Sequence, residues 1–258
     1  MNINSLMLRL TEITKEAGAR LLAQTVTVNS HKTKNDLLTE NDLATENYII
    51  SELKKYYPDV NIISEEYNPD NELEGVTVII DPIDGTCNYA VGMDLFGIQL
   101  AVFEDNVCRA SLLYFPVSGD IYTAEKGKGA YLNGKPLRVD TGATPRNGML
   151  FISDYYDSIG IPMDKQFGLV KALQKHFLKT RHFGAACVDF SMIAKGHGVA
   201  YITYYHKIWD IAPGLLIATE AGCVSGGLDG EYRYGEPGLV VATNSETLEL
   251  IRRLYREV

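Results

Sequence analysis

The segment Val78–Asn88 reads Val-Ile-Ile-Asp-Pro-Ile-Asp-Gly-Thr-Cys-Asn, an apolar run that leads into two acidic residues. Its apolar, β-branched beginning predicts a buried strand, and Pro82 should end that strand because proline cannot donate to a sheet ladder. Asp81 and Asp84 should then lie at the carboxyl edge of the strand, before a helix that begins near Thr86. Such a loop offers carboxylate oxygens to a divalent cation and backbone N–H groups to a phosphate. The segment therefore favours metal-assisted phosphoryl transfer.

Two other segments supply further acidic side chains. Ile62–Glu66 is an apolar run that ends in Glu65 and Glu66, and Trp209–Gly214 carries Asp210 at the start of an apolar helix. Sites of this kind are usually assembled from loops at the ends of strands and helices. The candidate metal ligands from these distant segments are Glu65, Asp81, Asp84 and Asp210.

Three motifs, Ser64–Glu66, Asp81–Asn88 and Trp209–Gly214, resemble the signatures of the inositol monophosphatase-like family. Their order and spacing fit from about Lys32 to the last residue, and the Asp-Pro-Ile-Asp-Gly-Thr run is highly specific. The resemblance implies a lithium-sensitive, magnesium-dependent phosphatase of the α/β class. It also implies an alternating α-β-α-β-α sandwich of the sugar phosphatase type.

The resemblance also implies how the acidic residues share the metal, which we expect to be two or three Mg²⁺ ions. Glu65, Asp81 and the carbonyl of Ile83 would hold one ion. Asp81, Asp84 and Asp210 would hold a second. Glu66 is left out of the ligand set because it could either support the ligands without contacting the metal or simply be solvated.

Thr86 and Asp42 are the candidates for orienting the attacking water, because in the family a Thr hydroxyl held by an Asp does so. The alternative for Asp42 is a helix N-cap, and Asp84 and Asp210 could also serve as caps. Lys32 and Lys34 precede this segment, either as a loop that closes on phosphate or as a solvated basic loop.

The substrate side differs from that of the inositol-specific members. The backbone N–H groups of Gly85 and Thr86 should contact phosphate, and the family uses a helix start such as Gly184-Ala185 to contact substrate hydroxyls. Ala185 stands where those members commonly carry Thr, and Thr203 stands where they carry a Glu. Both departures remove polar contacts, so we expect broad specificity rather than a preference for inositol phosphates.

Three functions remain open at this point. The first is a phosphomonoesterase acting on a small sugar or polyol phosphate such as inositol 1-phosphate, or on adenosine 3′,5′-bisphosphate. The second is a haloacid-dehalogenase-like phosphatase with an aspartyl nucleophile, although its Asp-x-Asp pattern has one residue between the acids where this chain has Pro82 and Ile83. The third is a non-catalytic protein that binds a phosphate ligand.

Composition limits the partners. The chain has 258 residues and a net charge of −9, which disfavours non-specific binding to nucleic acid. No apolar run is long enough to span a bilayer, and the N-terminus lacks the basic region of a signal peptide. The scattered cysteines, Cys87, Cys108, Cys187 and Cys223, predict reduced thiols and neither zinc nor a redox pair. We therefore expect a cytoplasmic protein. We also expect a homodimer.

Hydrophobic periodicity predicts helices over residues 3–24 and 42–57, a loop or hairpin between them, and then an antiparallel meander over residues 96–124. After residue 144 the pattern changes to alternating strands and helices. We therefore divide the chain into an N-terminal part, 1–144, with most metal ligands, and a C-terminal part, 145–258, that completes the site within one compact unit.

Overall fold

The computed structural model describes residues 2–33, 36–157 and 160–258, with the backbone alone for residues 29–33 and 36. Within these ranges the α-helices are α1 (Ile3–Ala23), α2 (Glu40–Tyr56), α3 (Thr86–Ala90), α4 (Met163–Leu173), α5 (Ala186–Ala194), α6 (Ile208–Glu220) and α7 (Ser245–Arg256). None of these helices is long and apolar enough to cross a membrane. The prediction for Lys34 and for the Lys32 side chain lies outside the described residues.

An antiparallel hairpin of β1 (Val28–Thr33) and β2 (Asp36–Thr39) joins α1 to α2. It confirms the hairpin rather than the loop. The seven-stranded sheet that follows consists of β3 (Asn61–Ser64), β4 (Val76–Asp84), β5 (Gly97–Glu104), β6 (Val107–Phe115), β7 (Asp120–Glu125), β8 (Gly129–Leu132) and β9 (Lys135–Leu137). Its strands pair in chain order, with β3 parallel to β4 and the others antiparallel, so the predicted meander is confirmed.

A second, mixed sheet has five strands: β10 (Met149–Ile152), β11 (Lys179–Arg181), β12 (Ala200–Thr203), β13 (Val224–Gly227) and β14 (Leu239–Ala242). Its order is β11-β10-β12-β14-β13, with β10 parallel to β11 and β12. Strand β13 was not predicted from the sequence, because Gly226 and Gly227 weaken the strand pattern. The strands of the seven-stranded sheet precede residue 144 in the chain, and those of the five-stranded sheet follow it. The division into two parts stays a prediction.

The helices and sheets form five alternating layers, which confirms the predicted sandwich. Helices α1 and α2 pack on one face of the first sheet, and α5 and α6 lie between the two sheets. Helices α4 and α7 cover the outer face of the second sheet. Strand β4 is apolar on both faces because it lies between two helix layers. Val78 and Ile80 face the α1–α2 layer, whereas Ile79 faces the central helices.

Strand β4 corrects one prediction, because it does not end at Pro82 but continues to Asp84. Asp81 pairs with Gln99 and Asp84 pairs with Gly97, and the register shifts between these two pairs. The irregularity places Pro82 where the ladder is interrupted, so its missing N–H breaks no regular pairing. The two acids therefore stand at a bulge inside the strand rather than after it.

Candidate metal and phosphate site

Asp81 is held at the bulge of β4 from two directions. Its Oδ1 accepts a hydrogen bond from the backbone N–H of Ile83 at 3.1 Å, and its Oδ2 accepts one from the Gln99 side chain at 3.1 Å. The residue is 1% exposed, and Gln99 is fully buried on the neighbouring strand β5. These bonds fix the carboxylate in one orientation.

Asp84 is held by a different helix from the one that follows it. Its two carboxylate oxygens accept hydrogen bonds from the backbone N–H groups of Ala186, at 3.2 Å, and Cys187, at the start of α5. Helix α3, which follows Asp84 in the chain, has Gly85 as its N-cap in a left-handed conformation (φ 88°) and no side-chain cap. Asp84 therefore caps α5 and not α3.

Asp210 lies in the first turn of α6, as the third residue of that helix. Its Oδ2 accepts a hydrogen bond from the backbone N–H of Lys207 at 2.9 Å and lies 3.4 Å from Nδ1 of His206. The N-cap of α6 is therefore Lys207 and not Asp210, and Asp210 completes a capping box from the third helical position through its Oδ2. One oxygen from each of Asp81, Asp84 and Asp210 lies within 4.8 Å of the other two.

The electrostatics of this cluster favour a bound cation. Burial and, next in size, the charge of Glu65 raise the pKa of Asp81 well above its usual value, and the charges of Asp84 and Asp210 act in the same direction. Burial and the charge of Asp210 raise the pKa of Asp84 to about 6. Crowded, buried carboxylates destabilise one another unless a proton or a cation neutralises them. Their hard oxygen atoms fit Mg²⁺.

Glu65 follows β3 directly, at the side of Asp81. Its backbone N–H donates to the carbonyl oxygen of Ile80 at 3.3 Å, which joins the ends of two neighbouring strands. Its charge is the largest charge effect on the pKa of Asp81. Glu65 is thus near Asp81 but outside the group formed by the three aspartates.

The Thr86 hydroxyl lies 3.1 Å from Oδ1 of Asp42 and 2.8 Å from the carbonyl oxygen of Ile83. A hydroxyl has one hydrogen, so it donates to only one of these acceptors at a time. Oδ2 of Asp42 accepts the backbone N–H of Thr39 at 2.8 Å, which closes a capping box at the start of α2. The N-cap is therefore Thr39 and not Asp42, and Asp42 both completes the capping box from the third helical position and contacts Thr86.

The predicted substrate residues are placed unequally. A Cβ added at Gly85 would lie 2.8 Å from the methyl group of Ala185, and one added at Gly184 would lie 3.5 Å from the Asn88 amide, so Ala185 and Gly184 lie close to the segment Gly85–Asn88. Thr203 ends β12 and is 1% exposed, with a hydroxyl that has no hydrogen-bond partner in the described part of the chain.

Three residues of the site were missed from the sequence. Gln99 supports Asp81, Glu46 of α2 binds the turn that follows Glu65, and the Asn88 amide donates to the carbonyl groups of Leu95 and Phe183. Gln99 could have been identified from the sequence, because it is a polar residue within the apolar strand β5. The other two depend on contacts between distant segments.

Comparison with known proteins shows the family of the chain. Residues 5–258 match the model of the inositol monophosphatase family. The chain is 31% identical over 247 residues to an inositol-1-monophosphatase of Bacillus subtilis, covering 93% of this chain and 92% of the relative. It is 32% identical over 222 residues to the Nus factor SuhB of Haemophilus influenzae, covering 86% and 83%.

A solved structure supports the same assignment. An IMPase of Thermotoga maritima superimposes with a TM-score of 0.86 at 25% identity, over 98% of this chain and 97% of that one. The chain belongs to the inositol monophosphatase family.

Proposed function

We propose that the protein is a Mg²⁺-dependent phosphomonoesterase that hydrolyses a small sugar or polyol phosphate, such as inositol 1-phosphate, by direct attack of water. The observation that carries the proposal is the convergence of Asp81, Asp84 and Asp210, three carboxylates whose oxygens lie within 4.8 Å of one another. Family membership supports a phosphatase and a metal cofactor.

The residues that would hold the metal divide into two sets. Glu65, Asp81 and the carbonyl of Ile83 would bind one ion, and Asp81, Asp84 and Asp210 would bind a second. Bound Mg²⁺ supplies positive charge to the phosphate oxygens and makes nearby water more acidic. Two or three ions satisfy this scheme.

Thr86 and Asp42 would orient the nucleophile. When the Thr86 hydroxyl donates its hydrogen to Asp42, its oxygen is left to accept a hydrogen bond from water. That bond would direct a lone pair of the water towards phosphorus. Thr86 and Asp42 would thus position the water and act together as its general base. Asp42 can serve this purpose because the capping box fixes its other oxygen.

The substrate is expected to be bound mainly through its phosphate. The backbone N–H groups of Gly85 and Thr86 would contact the phosphate, and Gly184, Ala185 and Thr203 would border the rest of the ester. None of these three offers a charged group to an inositol hydroxyl, which favours broad specificity. Adenosine 3′,5′-bisphosphate is the alternative substrate within the same family.

A non-catalytic role is the second candidate function, because relatives from Haemophilus influenzae and Escherichia coli are named Nus factor SuhB. The retained acidic cluster and the Thr86–Asp42 contact favour the enzyme.

We further propose that the protein acts in the cytoplasm as a homodimer, without a nucleic-acid or membrane partner. Light scattering after size exclusion would test the dimer.

The deciding experiment is phosphate release from a panel of inositol 1-phosphate, other sugar and polyol phosphates and adenosine 3′,5′-bisphosphate. We expect turnover with Mg²⁺, none in a chelator and inhibition by Ca²⁺, whose larger radius and irregular coordination would misplace the water. Full activity in a chelator would exclude the metal mechanism. Mg²⁺ binding without turnover of any ester would favour the non-catalytic role.

A further inference from the structure

Glu46 is a fully buried carboxylate of α2 that is bound to the turn after β3. Its Oε2 accepts the backbone N–H of Glu66 at 2.9 Å, and its Oε1 accepts the backbone N–H of Tyr67 at 2.8 Å. The first of these amides belongs to the residue next to Glu65. A buried carboxylate is costly unless its oxygens are hydrogen-bonded, and charge-assisted bonds of this type are strong. The pair of bonds therefore fixes the turn firmly.

Asp42 and Glu46 are one helical turn apart on α2, and both are fully buried. Residues four apart lie on the same face of a helix. One face thus reaches both loops of the site, since Asp42 contacts Thr86 in the loop after β4 and Glu46 contacts the turn after β3. Helix α2 connects the two loops through these side chains.

We propose that Glu46 is a positioning residue that holds Glu65 beside Asp81 for a divalent cation. The Glu65 backbone is fixed on one side by its own N–H bond to the Ile80 carbonyl and on the other by the bonds of Glu46 to the next two amides. The inference rests on the proposed function in one respect, namely that Glu65 is a metal ligand. Glu46 itself does not contact metal or substrate in this scheme.

Glutamine cannot replace Glu46, because the two amides bind different oxygens of the carboxylate. In Gln one of these oxygens becomes an NH₂ group, which is a donor, and it would face a backbone donor. One half of the turn would then be released while the size of the side chain stays the same. Supports of this kind typically contribute about 10- to 100-fold to metal affinity.

The test is Mg²⁺ binding without substrate, measured by calorimetry and by the rise in unfolding temperature as Mg²⁺ is added. We expect Glu46→Gln to weaken Mg²⁺ binding by about tenfold or more. At saturating Mg²⁺, its KM for the ester should stay close to the wild-type value. Glu52→Gln is the matched control on the same helix, since Glu52 pairs only with the exposed Lys55 at 2.6 Å in the described residues, and it should bind Mg²⁺ as the wild type does.

A lower unfolding temperature with unchanged Mg²⁺ affinity would show a purely structural role and overturn the inference. If Glu46→Gln does not fold, Glu46→Asp keeps the charge and both acceptors but is shorter, and it should weaken Mg²⁺ binding at least about threefold, a smaller loss than the full removal of such a support. Wild-type affinity in that variant would also overturn the inference. Failure of the wild type to bind Mg²⁺ would instead refute the proposed function, and this inference with it.

Discussion

The Asp84 carboxylate accepts a hydrogen bond at 3.2 Å from the backbone N–H of Ala186, which follows it by 102 residues in the chain. The bond joins the bulge of β4 in the first sheet to the start of α5 in the central helix layer. The same carboxylate lies in the acidic cluster with Asp81 and Asp210. One side chain thus links the fold of the central layer to the proposed metal site.

Asp84→Asn should therefore reduce activity far more than stability. Its single amide oxygen can accept one of the two α5 N–H groups, and its NH₂ group faces the other, a cost that is offset by reduced repulsion among the carboxylates. As a poorer ligand for Mg²⁺, Asn should lower kcat/KM by at least about 10²-fold. Phosphate release measures the loss of activity, and thermal unfolding measures the change in stability. Asp59→Asn, at an exposed position, is the control. Near-normal turnover would show that Asp84 only caps α5 and is not needed as a metal ligand.

Thr86→Ala and Thr86→Ser separate the proposed water-orienting role from metal binding. Removing the hydroxyl should lower kcat by about 10²- to 10⁴-fold, the range of general acid–base contributions. Ser keeps the oxygen near Asp42 and should retain most of the activity. Mg²⁺ affinity should be similar in both variants, because no Thr86 atom is in the proposed ligand sets. A Thr86→Ala enzyme with wild-type kcat would remove Thr86 from the mechanism.

Gly85 should be sensitive to substitution for two separate reasons. Its φ of +88° strains any other residue, and a side chain would lie 2.8 Å from both the Ala185 methyl group and the carbonyl oxygen of Leu95. Gly92 has a similar φ of +79° with nothing within 4 Å, so Gly92→Ala should show the backbone strain alone, about 1–2 kcal/mol.

Gly85→Ala should be destabilised by about 1–3 kcal/mol more than Gly92→Ala, since overpacking adds to the same strain. It should also lose activity, because the loop that carries Thr86 must move. Denaturant unfolding of the two variants measures the difference. Equal losses of stability would mean that the contact with Ala185 and Leu95 is not tight.

Asp81 should not become phosphorylated during turnover. Both of its oxygens accept hydrogen bonds, from Ile83 and Gln99, and the residue is 1% exposed, so it is poorly placed to attack phosphorus. Acid quenching during turnover, followed by mass spectrometry, should show no aspartyl phosphate. Its detection at Asp81 would transfer the protein to the haloacid-dehalogenase-like mechanism.

The sequence predicted elements with strong periodicity and specific motifs better than contacts between distant segments. Helix α1 was predicted over residues 3–24 and spans Ile3–Ala23, because its apolar side chains recur at helical spacing. Local patterns could not indicate that Asp84 binds α5, or that Glu46 binds the turn after Glu65. Those hydrogen bonds depend on how the layers pack. The bulge at Pro82 was missed because pairing to β5 prevails over the local tendency of proline to end a strand.

The metal-free protein should lose stability as the pH rises. The pKa of Asp84 is about 6 in the folded protein, above its ordinary value of 3.8, so the folded state binds more protons than the unfolded state between these values. The resulting stability is complete below 3.8 and is lost as the pH passes through about 6. For Asp84 alone this difference is worth on the order of 3 kcal/mol. Asp81, whose pKa is also raised, acts in the same direction.

Thermal unfolding in a chelator at pH 5 and pH 7.5 tests this expectation, with Asp84→Asn as the comparison. The wild type should lose more stability than the variant between the two pH values, because the variant lacks the group that titrates. Mg²⁺ should raise the unfolding temperature of the wild type more at pH 7.5 than at pH 5, since protons compete with the cation for the same carboxylates. Parallel pH profiles for the two proteins would show that the Asp84 carboxylate does not titrate in this range, and that burial and the charge of Asp210 raise its pKa less than the structure indicates.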